Sequence, residues 1–135
     1  MISVRRILFL LILASMLAVT SWASLRCPLF AVPRDVFTHP WFIATLFDAY
    51  WGFVTFFVWV CYKHTSGIAR SAWFVAIMLL GNIAMAAFCL AELAQRQPNT
   101  DFRDLLTTRR DGVGALGLSL AAIGVVVIAL ALPRG

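Results

Sequence analysis

The stretch WFIATLFDAYWGFVTFFVWVCY, Trp41 to Tyr62, constrains the fold more than any other part of the chain. Its 22 residues are apolar enough to cross a bilayer, yet Asp48 lies seven positions in from Trp41. As a helix rising ~1.5 Å per residue it covers roughly 33 Å, about the thickness of a hydrocarbon core. Asp48 then sits roughly 10 Å below one surface, where an unpaired charge is costly. The rest of the chain has to provide partners for that carboxylate.

Composition places the stretch in a membrane setting. The chain has 135 residues, of which 62% are hydrophobic, and its mean hydropathy is +0.91. Soluble domains run nearer half apolar. The length suits one small bundle without a second domain. A formal charge of +5 invites a nucleic-acid reading. However, the basic residues are scattered through short connections, with no aromatic interleaving and no zinc or helix-turn-helix pattern, so nucleic acid is excluded as a partner. Cys27, Cys61 and Cys89 contain no C-x-x-C spacing, and their odd number argues against a disulfide framework. No spacing of His, Cys, Asp or Glu suggests a metal or a cofactor.

The hydropathy pattern predicts an all-α integral membrane bundle of four transmembrane helices with short loops. The spans cover about residues 5–23, 41–62, 73–94 and 113–132. The first span follows Arg5 and Arg6, and Ser21-Trp22-Ala23 would also suit a signal peptidase. A retained anchor is preferred because the apolar run is long for a signal core and Trp22 fits an interface. Pro40 suits the first turn of the second helix, with Thr38 or His39 as its cap. Lys63 is expected to snorkel to the surface and His64 to lie in a loop. The connection 95–112 contains a short amphipathic segment, capped by Thr100, with Phe102, Leu105 and Leu106 on one side. It rests on the membrane surface or is solvated. Trp22, Trp41, Trp59 and Trp73 fall near span ends as aromatic belts require; Trp51 lies mid-span.

With four spans, Arg5, Arg6, Lys63, Arg70 and Arg134 share one side, and Arg26, Arg34, Arg96, Arg103, Arg109 and Arg110 the other. The count is nearly tied. The Arg5-Arg6 pair before the first span favours both termini in the cytoplasm, and the cell inner membrane if the source is bacterial.

A helical wheel sorts the second span. Trp41, Ala44, Thr45, Trp51, Gly52, Thr55, Trp59 and Tyr62 cluster around Asp48, while Ile43, Leu46, Phe53, Val54 and Phe57 lie opposite. This predicts that Asp48 faces the bundle and the phenylalanines face lipid. Ser15 and Ser119 lie at the depth of Asp48 on neighbouring spans; Asn82 lies deeper and Glu92 shallower. These residues, with Thr45, Thr55 and Trp51, form a candidate intramembrane polar site. Gly117, Ala121 and Gly124 form a small-residue seam on the last span. The polar site either holds helices together or binds a proton, ion or ligand.

Thr45-Leu46-Phe47-Asp48, Val58-Trp59-Val60-Cys61-Tyr62-Lys63 and Ser66-Gly67-Ile68-Ala69-Arg70 with Trp73 resemble an uncharacterised family of small multi-pass membrane proteins, a domain of unknown function found in plants and bacteria. The resemblance covers about Trp41 to Leu90 or the whole chain. The family pattern's acidic residue and W-x-x-Y-K ending match Asp48 and Trp59 through Lys63. The resemblance implies topology and no activity. The expected role is a non-enzymatic accessory or interaction component in the lipid bilayer, assembling with a second copy or a larger membrane complex. The alternative is a small oligomeric transporter or channel using Asp48. An enzyme acting on lipid or quinone through Asp48 or Glu92 is the weakest reading, because no nucleophile, metal cluster or paired histidines accompany them.

Overall fold

The computed structural model describes residues 3–96 and 101–133. It is all-helical in those residues apart from turns and a single isolated bridge between His64 and Arg110. The helices are α1 (Val4–Arg26), α2 (Arg34–Phe37), α3 (Pro40–Lys63), α4 (Gly67–Leu80), α5 (Asn82–Ala94), α6 (Phe102–Thr107) and α7 (Ala115–Ala131), with a 3₁₀ turn at Leu29–Ala31. α1 and α3, with 23 and 24 residues, are long and apolar enough to cross a membrane. Pro40 occupies the start of α3 as expected. His39 precedes it without a side-chain cap, and the Thr38 hydroxyl donates to Arg34 instead.

The segment expected as one span over 73–94 is broken at Gly81. Gly81 takes φ +52 and ψ −125, a conformation open to glycine and costly to other residues. There the chain reverses. The ring centroids of Trp73 and Phe88 lie 4.9 Å apart. In a continuous helix these two residues, fifteen positions apart, would be separated by roughly 22 Å. α4 and α5 are therefore an antiparallel hairpin. Its tip fits closely against α3: a Cβ on Gly81 would stand 2.7 Å from the Phe53 ring. The tip's backbone is still satisfied, since Gly81 N–H donates to the Ile77 carbonyl and Gly81's carbonyl accepts from Met85 N–H.

α7 runs alongside α4 in the same direction, with Gly114 against Ala69, Gly117 against Trp73, and Gly124 against Leu79 and Leu80. A Cβ on Gly117 would stand 2.9 Å from the indole, so the expected small-residue seam is what lets α7 approach. α1 lies along α5. The core is aromatic, with Val60, Trp73, Ala76, Ile77, Ala84, Phe88 and Cys89 buried and Phe53, Phe56, Phe57 and Trp59 packed around them. Trp73 is 3% exposed and belongs to this core, not to an interfacial belt.

The hairpin changes which end of the molecule each connection occupies. The Arg6 guanidinium donates to the Leu93 carbonyl at 2.8 Å, so α1 begins where α5 ends. α3 ends there too, and α4 and α7 begin there. Arg5, Arg6, Lys63, Arg70, Arg96, Arg103, Arg109 and Arg110 consequently share one end, while Arg26 and Arg34 lie towards the other. Arg134 lies outside the described residues. The start of α1 and the end of α7 are at opposite ends, against the expectation that they share a side.

Candidate functional site

At the basic end the structure buries charge. Lys63 is 0% and Glu92 2% exposed, and the Lys63 ammonium stands 2.5 Å from Glu92 Oε2. Arg110 Nε lies 2.8 Å from Glu92 Oε1. One carboxylate is thus held between two cations from different segments. Lys63 also donates to the Leu105 carbonyl at 2.7 Å and stands over the Trp59 ring at 6.0 Å. Its expected snorkelling is overturned: α6 closes over the end of α3, and the nearest counter-charge is inside.

The backbone fixes these groups. Arg110 N–H donates to the Lys63 carbonyl at 2.6 Å and Thr65 N–H to the Arg110 carbonyl at 3.0 Å. Arg70 Nε donates to the His64 carbonyl at 2.7 Å, and Arg109 Nε to the Tyr62 carbonyl at 3.0 Å. Carbonyls left open at the C-terminal end of α3 are thereby met by arginines. Thr65 donates to Asp111 in a short hydrogen bond. The connection 101–111 is consequently tied to the end of α3 at several points. The helix within it is capped by the Asp101 side chain; Thr100, the expected cap, lies outside the described residues. Leu105 is buried against the end of α3, while Phe102 and Leu106 line a groove and remain exposed.

His64, expected in an open loop, is 6% exposed and stacks on Trp73 with centroids 6.5 Å apart. Burial lowers its pKa below the ordinary 6.5, helped by Arg110, Lys63 and Arg70 and opposed by Glu92. Its Nδ1 is buried with no hydrogen-bond partner among the described residues. Buried ion clusters of this kind more often hold a structure together than perform chemistry. This one exposes no nucleophile and, among the described residues, no group of three or more potential metal ligands.

The structure does not gather the residues expected to surround Asp48. Asp48 itself is exposed on α3. Thr45 and Thr55, also exposed, donate to the carbonyls of Trp41 and Trp51 in their own helix, and Trp51 is 65% exposed. Ser15 and Ser119 likewise bond within their own helices, to Ile12 and Ala115. Asn82 is exposed beside the hairpin tip. Of the expected set only Glu92 is buried among charged partners. The packed side of α3 cuts across the two expected faces: Phe53 and Phe57 from the far face and Trp59 from the Asp48 face pack on the core beside Phe56 and Val60, while Asp48 and, on the other flank, Ile43, Leu46 and Val54 are exposed. The reason is that the hairpin offers α3 an aromatic wall, and Lys63, in line with Val60 and Phe56, has its counter-ion on that side. Sequence reasoning missed Lys63, His64 and Arg110; the one available signal was a lysine closing an apolar helix beside an acidic span exit.

A second feature borders the cluster. Between α1, α3, α5 and α6 runs a groove of about 500 Å³, with Leu8, Phe9 and Ile12 on one wall, Met85, Ala86 and Cys89 on another, and Arg5 and Glu92 at one end.

No curated protein and no solved structure matches the chain. The family described as "Protein of unknown function (DUF1475)" matches residues 1–132, the wider of the two extents expected from the resemblance. The chain therefore belongs to this DUF1475 family.

Proposed function

We propose that the protein is a multi-pass integral membrane protein acting as a non-enzymatic interaction component, and that it self-associates through the outward face of α3. One observation carries this reading: Asp48 lies eight residues into an apolar helix, on a surface that no other part of the described chain covers. A carboxylate roughly 12 Å from the helix start and facing lipid is costly, and a facing helix with hydroxyls or a shared proton relieves it. The same face offers Thr45, Thr55 and Gly52. A Cβ at Gly52 would meet nothing within 4 Å, so a second helix can come close there.

In this reading α1, α3 and α7 cross the bilayer, with α1 retained. α4 and α5, 14 and 13 residues long, are each roughly 20 Å and too short to cross ~30 Å of hydrocarbon. They dip in as a re-entrant hairpin, whose turn at Gly81 lies against the Phe53 ring with its backbone groups hydrogen-bonded. The basic end then faces the cytoplasm, by eight Lys and Arg residues against Arg26 and Arg34, and α7 ends on the opposite side.

Cysteine scanning tests the association. In membranes, Gly52→Cys or Thr55→Cys should cross-link one copy to another while Ile43→Cys, on a different side of the helix, does not. Asp48→Leu should shift the detergent-solubilised protein towards monomer. Equal cross-linking around the helix, or a monomer at every concentration, removes the reading. Ion flux through reconstituted wild-type protein that Asp48→Asn abolishes would favour the transporter alternative.

A further inference from the structure

We propose that the groove between α1, α5 and α6 is a lipid site, holding one acyl chain of an anionic phospholipid whose phosphate pairs with Arg5. This rests on the membrane reading and goes beyond the association through α3. The cavity, about 500 Å³, falls within the usual size of small-molecule sites. Its walls are apolar, with Leu8, Ile12, Phe56, Met85 and Leu106 among them. Along α5 it extends from Asn82 to Leu93, eleven steps or roughly 16 Å, about half of a ~30 Å hydrocarbon core. That is the depth of one leaflet.

The open end decides which lipid fits. Arg5 is exposed, and its guanidinium carbon lies 5.2 Å from the Phe102 ring centroid, which holds it at the rim. Among the described residues no carboxylate pairs with Arg5; Glu92, at the same end, is taken by Lys63 and Arg110. The rim therefore carries uncompensated positive charge above an apolar slot. A zwitterionic lipid would give Arg5 a weaker partner, and a free phosphate would leave the walls unfilled.

The test uses the full chain, delipidated in a mild non-ionic detergent and titrated with dioleoyl phosphatidylglycerol, dioleoyl phosphatidylcholine or inorganic phosphate. Native mass spectrometry counts bound lipid and a thermal melt reports stabilisation. The expected result is one retained phosphatidylglycerol, bound about fivefold more tightly than phosphatidylcholine, the contribution of roughly one basic residue. Phosphate alone should give no shift. Arg5→Gln should remove the preference, and Leu8→Trp, at a half-exposed groove position, should weaken both lipids; Leu8→Phe serves if the tryptophan variant fails to fold. Equal binding of the two lipids, a shift reproduced by phosphate, unchanged selectivity in Arg5→Gln, or wild-type binding in a folded groove-filling variant would each overturn the proposal. Resistance of the chain to carbonate extraction from membranes reports separately on membrane insertion, so failure of that reading is recognised independently.

Discussion

The two ends of this molecule are built on different principles. At the basic end, helix termini meet around a buried carboxylate. Aromatic rings pack edge to face, and arginines meet backbone carbonyls. At the other end α1 and α3 are sparsely covered, with Phe37 of α2 against Phe42: α1 has no buried residue, and on α3 burial is confined to Val60 and Lys63. The hairpin explains the contrast, because it covers α3 only as far as Phe53. One end is thus internally complete, and the other leaves apolar surface and Asp48 exposed.

The sharpest way to break the contrast is to remove the central carboxylate. Glu92→Gln strands Lys63 in the interior and should cost about 3–5 kcal/mol, read as a large drop in thermal stability of the detergent-solubilised protein. Lys63→Met should cost less, since Glu92 keeps Arg110. Gly81→Val follows at about 3 kcal/mol, combining a positive φ with a collision against Phe53; a melt of similar stability to wild type would disprove the hairpin.

The third prediction concerns pH. The folded pKa of His64 lies below its unfolded value of 6.5, so below that pH the unfolded chain binds more protons. Stability should be full above pH 6.5 and fall as pH drops below it. His64→Phe should flatten that part of the profile in melts at a series of pH values. The smallest expected effect is Asp48→Asn, within about 0.5 kcal/mol in the isolated monomer because the site is exposed. Under the association proposed above, the same substitution weakens cross-linking through α3. A large loss of monomer stability would place Asp48 inside the fold after all.

Much of the architecture is legible along the chain. Helical character, the long apolar stretches at α1 and α3, Pro40 at a helix start and the Gly117–Gly124 seam follow from local chemistry. The α3 wheel placed residues around the axis by the ~100° step, but the packed side takes Trp59 from one expected face and Phe53 and Phe57 from the other. Which side of α3 packs was not legible, because apolar and aromatic residues occur all round it until neighbours are placed.

The amino-acid sequence by itself determined an apolar, all-helical chain with one awkward carboxylate, and carried the family resemblance. Only the tertiary structure decided that residues 73–94 turn back on themselves. Hydropathy is blind to that reversal, since an apolar run reads alike whether it continues or folds over, and a single glycine conformation chooses between the two. The choice at Gly81 carries the rest: it brings Glu92 to Lys63 and Arg110, gathers the basic residues at one end, and leaves Asp48 facing outward.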